Sequence, residues 1–121
     1  MYRVSVEDHF DAAHYLREYG GKCENLHGHR FKVVAAVEVQ NPDNTGLAYD
    51  FTELKRQLKA VLAQFDHVCL NDVAPFDSIN PSSENIAATI FGRLKEMLPG
   101  HVRLGYVEVW ESPQTWVRYV P

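Results

Sequence analysis

Apolar and polar positions alternate from the start of the chain. Tyr2, Val4 and Val6 are apolar, whereas Arg3, Ser5 and Glu7 are polar, so Tyr2–Phe10 is predicted to be a strand buried on one face. Arg17–Asn25 is polar, contains Gly20-Gly21 and predicts a loop. Alternation returns over His29–Gln40, with Phe31, Val33, Ala35, Val37 and Val39 on one face, and ends in the turn-rich run Asn41–Gly46. The period then changes. Leu54, Leu58, Val61, Leu62 and Phe65 recur at helical spacing, predicting an amphipathic helix over residues 51–65. Asp50 and Glu53 at its start have the spacing of a capping box. A second helix is predicted over Ser83–Leu98, burying Ile86, Ala87, Ile90, Phe91 and Leu94. Pro81-Ser82 opens it and Pro99-Gly100 stops it. Strands over Val102–Glu111 and Thr115–Tyr119, joined by Ser112-Pro113-Gln114, complete the order strand, strand, helix, helix, strand, strand. That order predicts an α+β fold: a four-stranded antiparallel sheet with two helices on one face, in one domain spanning 1–121.

Composition narrows the function classes. The chain has 121 residues, 45% apolar and 23% charged, which is enough for a packed core. Its net charge of -4 gives no general footprint for nucleic acid or an anionic membrane. MYRVSVEDHF lacks the basic and apolar regions of a secretory leader, and no apolar run reaches the ~18 residues of a membrane span. The expected location is the cytoplasm. The two cysteines, Cys23 and Cys69, are read as free thiols in a reducing compartment, although counting alone leaves a bridge between them open.

The histidines supply the candidate chemistry. His27 and His29 are two apart on a strand, so both rings share the inward row of Phe31, Val33 and Ala35. Gly28 between them lets the backbone approach a ligand closely. Buried imidazoles need partners, and a metal is one. His14, just after the first strand, is within reach of the same spot. Three histidines with an open fourth position suit catalytic zinc, although neutral imidazole also suits iron, nickel or copper. His9 falls on the polar row and His101 in a turn, so both are read as solvated.

Cys23 lies in a polar loop four residues before His27, where a thiolate near a metal can act as base or nucleophile. Cys69, between Val68 and Leu70, reads as inert. Asp66-His67 pairs a carboxylate with an imidazole whose tautomer it can fix. Glu111 ends a strand whose two rows both contain apolar residues, so phase leaves its direction open. Facing inward, its carboxylate can accept two hydrogen bonds from an amino-pyrimidine edge; facing outward, it is a solvated strand end.

Taken in order, Phe10-Asp11-Ala12-Ala13-His14, Cys23-Glu24-Asn25-Leu26-His27-Gly28-His29, Asp66-His67 with Leu70-Asn71, Pro81-Ser82-Ser83-Glu84-Asn85 and Glu111 resemble the 6-pyruvoyl-tetrahydropterin synthase superfamily over nearly the whole chain. The resemblance implies a tunnelling fold (T-fold), with zinc on His14, His27 and His29, and Cys23 as the proton-abstracting group. It implies Asp66 and His67 as the relay, Glu111 as the pterin anchor and possible relay member, and Glu84 near the pterin pocket. The Cys23–His27 spacing is similar to that of the branch making 6-carboxy-5,6,7,8-tetrahydropterin for queuosine biosynthesis from 7,8-dihydroneopterin triphosphate. Acetaldehyde and triphosphate are its other products. Homo-oligomers, trimers or hexamers with active sites between subunits, are also implied. Pro81-Ser82 and Glu111-Ser112 stand where the family often has Pro-Thr and Glu-Thr, and both keep a hydroxyl. Competing readings are 6-pyruvoyl-tetrahydropterin synthase activity, a simple zinc hydrolase and a non-catalytic pterin-binding protein. Lys22, Arg30 and Lys32 are candidate triphosphate contacts.

Overall fold

Two long strands define the molecule. The computed structural model describes residues 1–121. β1 (Tyr2–His14) and β2 (His27–Val39) pair antiparallel along their whole length. Both strands run further toward the 15–26 loop than the apolar alternation predicts, because cross-strand pairing continues through Ala12↔His29 and His14↔His27. After α1 (Phe51–Leu62) comes a two-residue strand, β3 (Val68–Cys69), which runs parallel to β1 at Ala12 and Ala13. Then follow α2 (Ser83–Lys95), β4 (Arg103–Ser112) and β5 (Thr115–Tyr119). The sheet therefore has five strands in the order β3-β1-β2-β4-β5, mixed rather than four-stranded and purely antiparallel. The extra strand is too short to show a period in sequence.

The core is the sheet's inner face under both helices. Val6, Phe10, Phe31, Val33, Val107 and Val109 meet Leu54, Leu58, Ile86, Ile90 and Leu94 there. Phe10 and Phe31 are a cross-strand pair with rings stacked 4.9 Å apart, and both are fully buried. Burial of one such side chain contributes about 1.5–3 kcal/mol.

Both helices end earlier than their apolar periods. Phe65 is buried from a turn beyond α1, and Leu98 packs against the core from beyond α2. Asp50 caps α1 by accepting from the Thr52 amide, but no capping box forms. Glu53 is drawn instead to Arg56, which donates to it through Nε at 3.1 Å and through a terminal nitrogen. Ser82 caps α2 by accepting from the Asn85 amide.

Two irregularities in β4 settle the direction of Glu111. Ala36 pairs with Tyr106 and Val37 with Leu104, so Gly105 is an extra residue on β4. A Cβ there would lie 3.1 Å from the Glu38 side chain, which explains the glycine. The bulge shifts the phase, so Leu104 and Val107 both enter the core. A second shift, between Trp110 and Ser112 opposite β5, leaves Glu111 itself as the extra residue. Bulges of this kind re-aim side chains next to functional sites. No helix is long and apolar enough to cross a membrane.

Candidate active site

Register alone assembles the three histidines. Phe10↔Phe31, Ala12↔His29 and His14↔His27 are successive inward cross-strand pairs, so the imidazoles continue the aromatic row of the core. Ala12, the small member opposite His29, leaves room for the rings to converge. Ring centroids are 4.5 Å apart for His14–His27, 4.8 Å for His27–His29 and 5.3 Å for His14–His29. One nitrogen from each ring lies within 4.8 Å of the others. Gly28 is not needed for this approach, since an added Cβ would meet only the Ala12 carbonyl at 3.8 Å, an ordinary contact.

Hydrogen bonds at the outer nitrogens prepare the inner ones. His14 Nδ1 is 2.8 Å from the Pro81 carbonyl and His27 Nδ1 is 2.6 Å from the Asn25 carbonyl. A carbonyl only accepts, so both rings carry the proton on Nδ1 and turn the Nε2 lone pair inward. His14 is 1% exposed, and its Nε2 is a buried side-chain polar atom with no partner. A buried orphan of this kind calls for an explanation. A metal cation shared with His27 and His29 supplies one, so the residues fit the ion. Burial holds the His14 pKa below its ordinary value; the Pro81 hydrogen bond opposes this, His27 assists, Glu111 opposes and His29 assists.

Glu111 does face inward. Its Oε1 lies 3.9 Å from His14 Nε2 and accepts from the Ser83 hydroxyl at 3.0 Å. Ser83, in the first turn of α2, is a contact that the sequence reading left without a role. A cavity of about 240 Å³ joins Glu111 and Ser83 to Cys23, Glu84, Tyr19 and Trp116. Cys23 is half-buried in a short 3-10 turn, Lys22–Glu24, and is a free thiol. Glu84 is exposed at the cavity rim.

Asp66 and His67 are not brought to this cavity. They sit where β3 joins β1: Asp66 accepts from the Asp11 amide at 2.9 Å, and His67 Nδ1 is 2.9 Å from the other Asp66 oxygen. The Asp11 amide, more than His67, holds the Asp66 carboxyl below its ordinary pKa. The His67 side chain is 77% exposed. Of the basic candidates, Lys22 is exposed, Arg30 pairs with Asp11 and Lys32 lies 3.9 Å from the Trp110 ring centroid. Cys69 is a free thiol, half-buried at the cavity that His29 and His67 line, and His9 and His101 are exposed, as their positions in the sequence predict.

This fold, with three converging histidines, a carboxylate 3.9 Å from one of them and a thiol that shares the carboxylate's cavity, is that of the pterin-synthase class of lyases. Residues 3–121 match the family model described as 6-pyruvoyl tetrahydropterin synthase, and the chain belongs to that family. It is 39% identical to a 6-carboxy-5,6,7,8-tetrahydropterin synthase from Synechocystis, over 98% of this chain and 93% of the relative. It is 37% identical to a dihydroneopterin monophosphate aldolase from Pyrococcus furiosus, over 93% of this chain and 88% of the relative. The structure of Caenorhabditis elegans 6-pyruvoyl tetrahydropterin synthase superposes with a TM-score of 0.87 at 30% identity, covering 100% of this chain and 97% of that one.

Proposed function

We propose that this chain is a zinc-dependent lyase. It converts 7,8-dihydroneopterin triphosphate and water to 6-carboxy-5,6,7,8-tetrahydropterin, acetaldehyde and triphosphate, a step of queuosine biosynthesis. The observation that carries the reading is the single cavity that joins Cys23 and Glu111, with Glu111 beside the orphaned Nε2 of His14. Similarity to the Synechocystis enzyme supports the 6-carboxy branch.

His14, His27 and His29 hold the zinc. When bound, it acts as a Lewis acid on the side-chain oxygens of the substrate and acidifies the adjacent C–H. Glu111 accepts two hydrogen bonds from the amino-pyrimidine edge of the pterin, and the Ser83 hydroxyl fixes the carboxylate for that task. The Cys23 thiolate takes the proton from the side-chain carbon next to the ring and returns one to a neighbouring position. Glu84 borders the pterin at the rim. The reaction moves oxidation level within the substrate, so no redox cofactor enters.

Asp66 and His67 complete the relay from a second copy of the chain. Their place at the β3 end of the sheet, outside the cavity of Cys23 and Glu111 while His67 shares a separate one with His29, supports this. So do the two edge strands β3 and β5, which are free to pair with neighbours. A cytoplasmic homohexamer built of two trimers fits that geometry.

The Pyrococcus furiosus relative favours one second reading, retro-aldol cleavage of the pterin side chain. Mass spectrometry of products from zinc-loaded protein and 7,8-dihydroneopterin triphosphate separates the readings. 6-Carboxy-tetrahydropterin with acetaldehyde is the expected result. A 6-pyruvoyl product would move the chain to the tetrahydrobiopterin branch. A 6-hydroxymethyl pterin, from this substrate or the monophosphate, would establish the aldolase instead.

A further inference from the structure

Beyond β1 the chain is held by side chains rather than by a neighbouring strand. Asn71 clamps Tyr15 on both backbone groups: the Tyr15 amide donates to Oδ1 at 3.0 Å, and Nδ2 donates to the Tyr15 carbonyl at 3.0 Å. Two residues on, Asn80 does the same to Arg17, accepting from its amide at 2.8 Å and donating to its carbonyl at 3.0 Å. The amide between them, on Leu16, donates to the Cys23 carbonyl at 2.6 Å. Residues 15–17 are thus paired on both edges, with two asparagines on one and the cysteine's own backbone on the other.

The same asparagine segment reaches the histidines. Three successive carbonyls are all occupied: Ile79 accepts from the Arg17 guanidinium at 3.3 Å, Asn80 from Asn85 Nδ2 at 2.9 Å and Pro81 from His14 Nδ1 at 2.8 Å. The Arg17 guanidinium also donates to the Phe76 and Asn71 carbonyls, at 2.8 and 3.4 Å. Asn71 is 5% exposed. A buried side-chain amide with both ends used is rigid, and it is costly to disturb.

We propose that Asn71, Asn80 and Arg17 are positioning residues: they strap residues 15–17 to the segment before α2 and set where Cys23 stands relative to the histidine cluster. The β1–β2 register places the backbone of all three histidines, and His14 Nδ1 keeps its bond to the Pro81 carbonyl when the Asn80 side chain is removed, so loosening the strap moves the thiol more than the metal ligands. This rests on the proposed roles of Cys23 and the histidines. Proton transfer depends steeply on geometry, and a shift of about 1 Å costs roughly a hundredfold in rate.

The test uses Asn80→Ala in a Cys69→Ala background, which leaves Cys23 as the sole thiol. Asn80→Asp accompanies it, keeping the shape and the acceptor for the Arg17 amide while losing the donor to its carbonyl. Three quantities are read: kcat and KM with the pterin triphosphate, zinc affinity by competition with a chromophoric chelator, and the iodoacetamide alkylation rate of Cys23. The expected result is a kcat lower by about 10- to 100-fold with KM and zinc affinity within about threefold. Alkylation of Cys23 changes severalfold in both variants. Unchanged alkylation in both would overturn the proposal, as would a zinc affinity that falls in step with kcat. If the parent protein does not turn over the pterin, the proposed activity is what fails, and the alkylation and zinc measurements still decide the strap.

Discussion

The metal-free protein should lose stability in mild acid because of His14. The ring is 1% exposed, and burial, opposed by the Pro81 hydrogen bond, lowers its pKa. The unfolded chain therefore takes the proton more readily than the folded one. The contribution is fully present above the ordinary histidine value of ~6.5 and is lost as pH falls from there through the lowered folded value. Uptake of one proton sets a ceiling of about 1.4 kcal/mol per pH unit. In a domain of this size about 1 kcal/mol moves Tm by about 4 °C. Thermal melts with a chelator at pH 6.5 and 5.5 should thus show a larger drop in the parent than in His14→Gln, with about 4 °C as the upper bound on the excess. With zinc bound, the Nε2 lone pair is occupied and the excess slope should shrink. Equal pH slopes for the metal-free parent and His14→Gln would refute the reasoning, because they would mean that the buried ring gains no proton on unfolding.

Other expectations follow from the same geometry. Zinc at about 100 times its Kd should stabilise the parent by ~2.7 kcal/mol, or about 10 °C in Tm, and His29→Ala should abolish most of that rise in a melting assay. Ser83→Ala removes the donor to Glu111; the Glu111 side chain is 33% exposed, so the low end of a charged hydrogen bond applies, about 1.5 kcal/mol or tenfold in kcat/KM, with Tm nearly unchanged. Asp50→Ala removes the cap of α1, far from the cavity, and should cost about 1 kcal/mol in a denaturant titration while leaving kcat alone.

The sequence was most legible where one period ran without interruption. The rows of β2 and α1 identified their core residues, and the phase of His27 and His29 with Phe31 placed both rings inward, as found. It was least legible where the backbone departs from a period. Two bulges in β4 shift the rows, so Glu111 could be aimed only once Gly105 was seen to be an extra residue. Its signal was a glycine amid apolar strand residues. β3 has two residues and no pattern, so the parallel pair was missed and with it the place of Asp66 and His67 at the sheet's edge. Asn80 carries no sequence signal: its work is to hold a backbone sixty-odd positions away, and only the folded chain brings the two together.

The central claim is that Cys23 moves protons on a pterin held beside the three-histidine metal centre. Its most direct test is turnover of 7,8-dihydroneopterin triphosphate by zinc-loaded Cys23→Ala, with zinc content measured on the same sample. The account predicts full zinc occupancy and a rate of 6-carboxy-tetrahydropterin formation lower by about 100-fold or more. A variant that keeps its zinc and forms the product at the parent rate would contradict it.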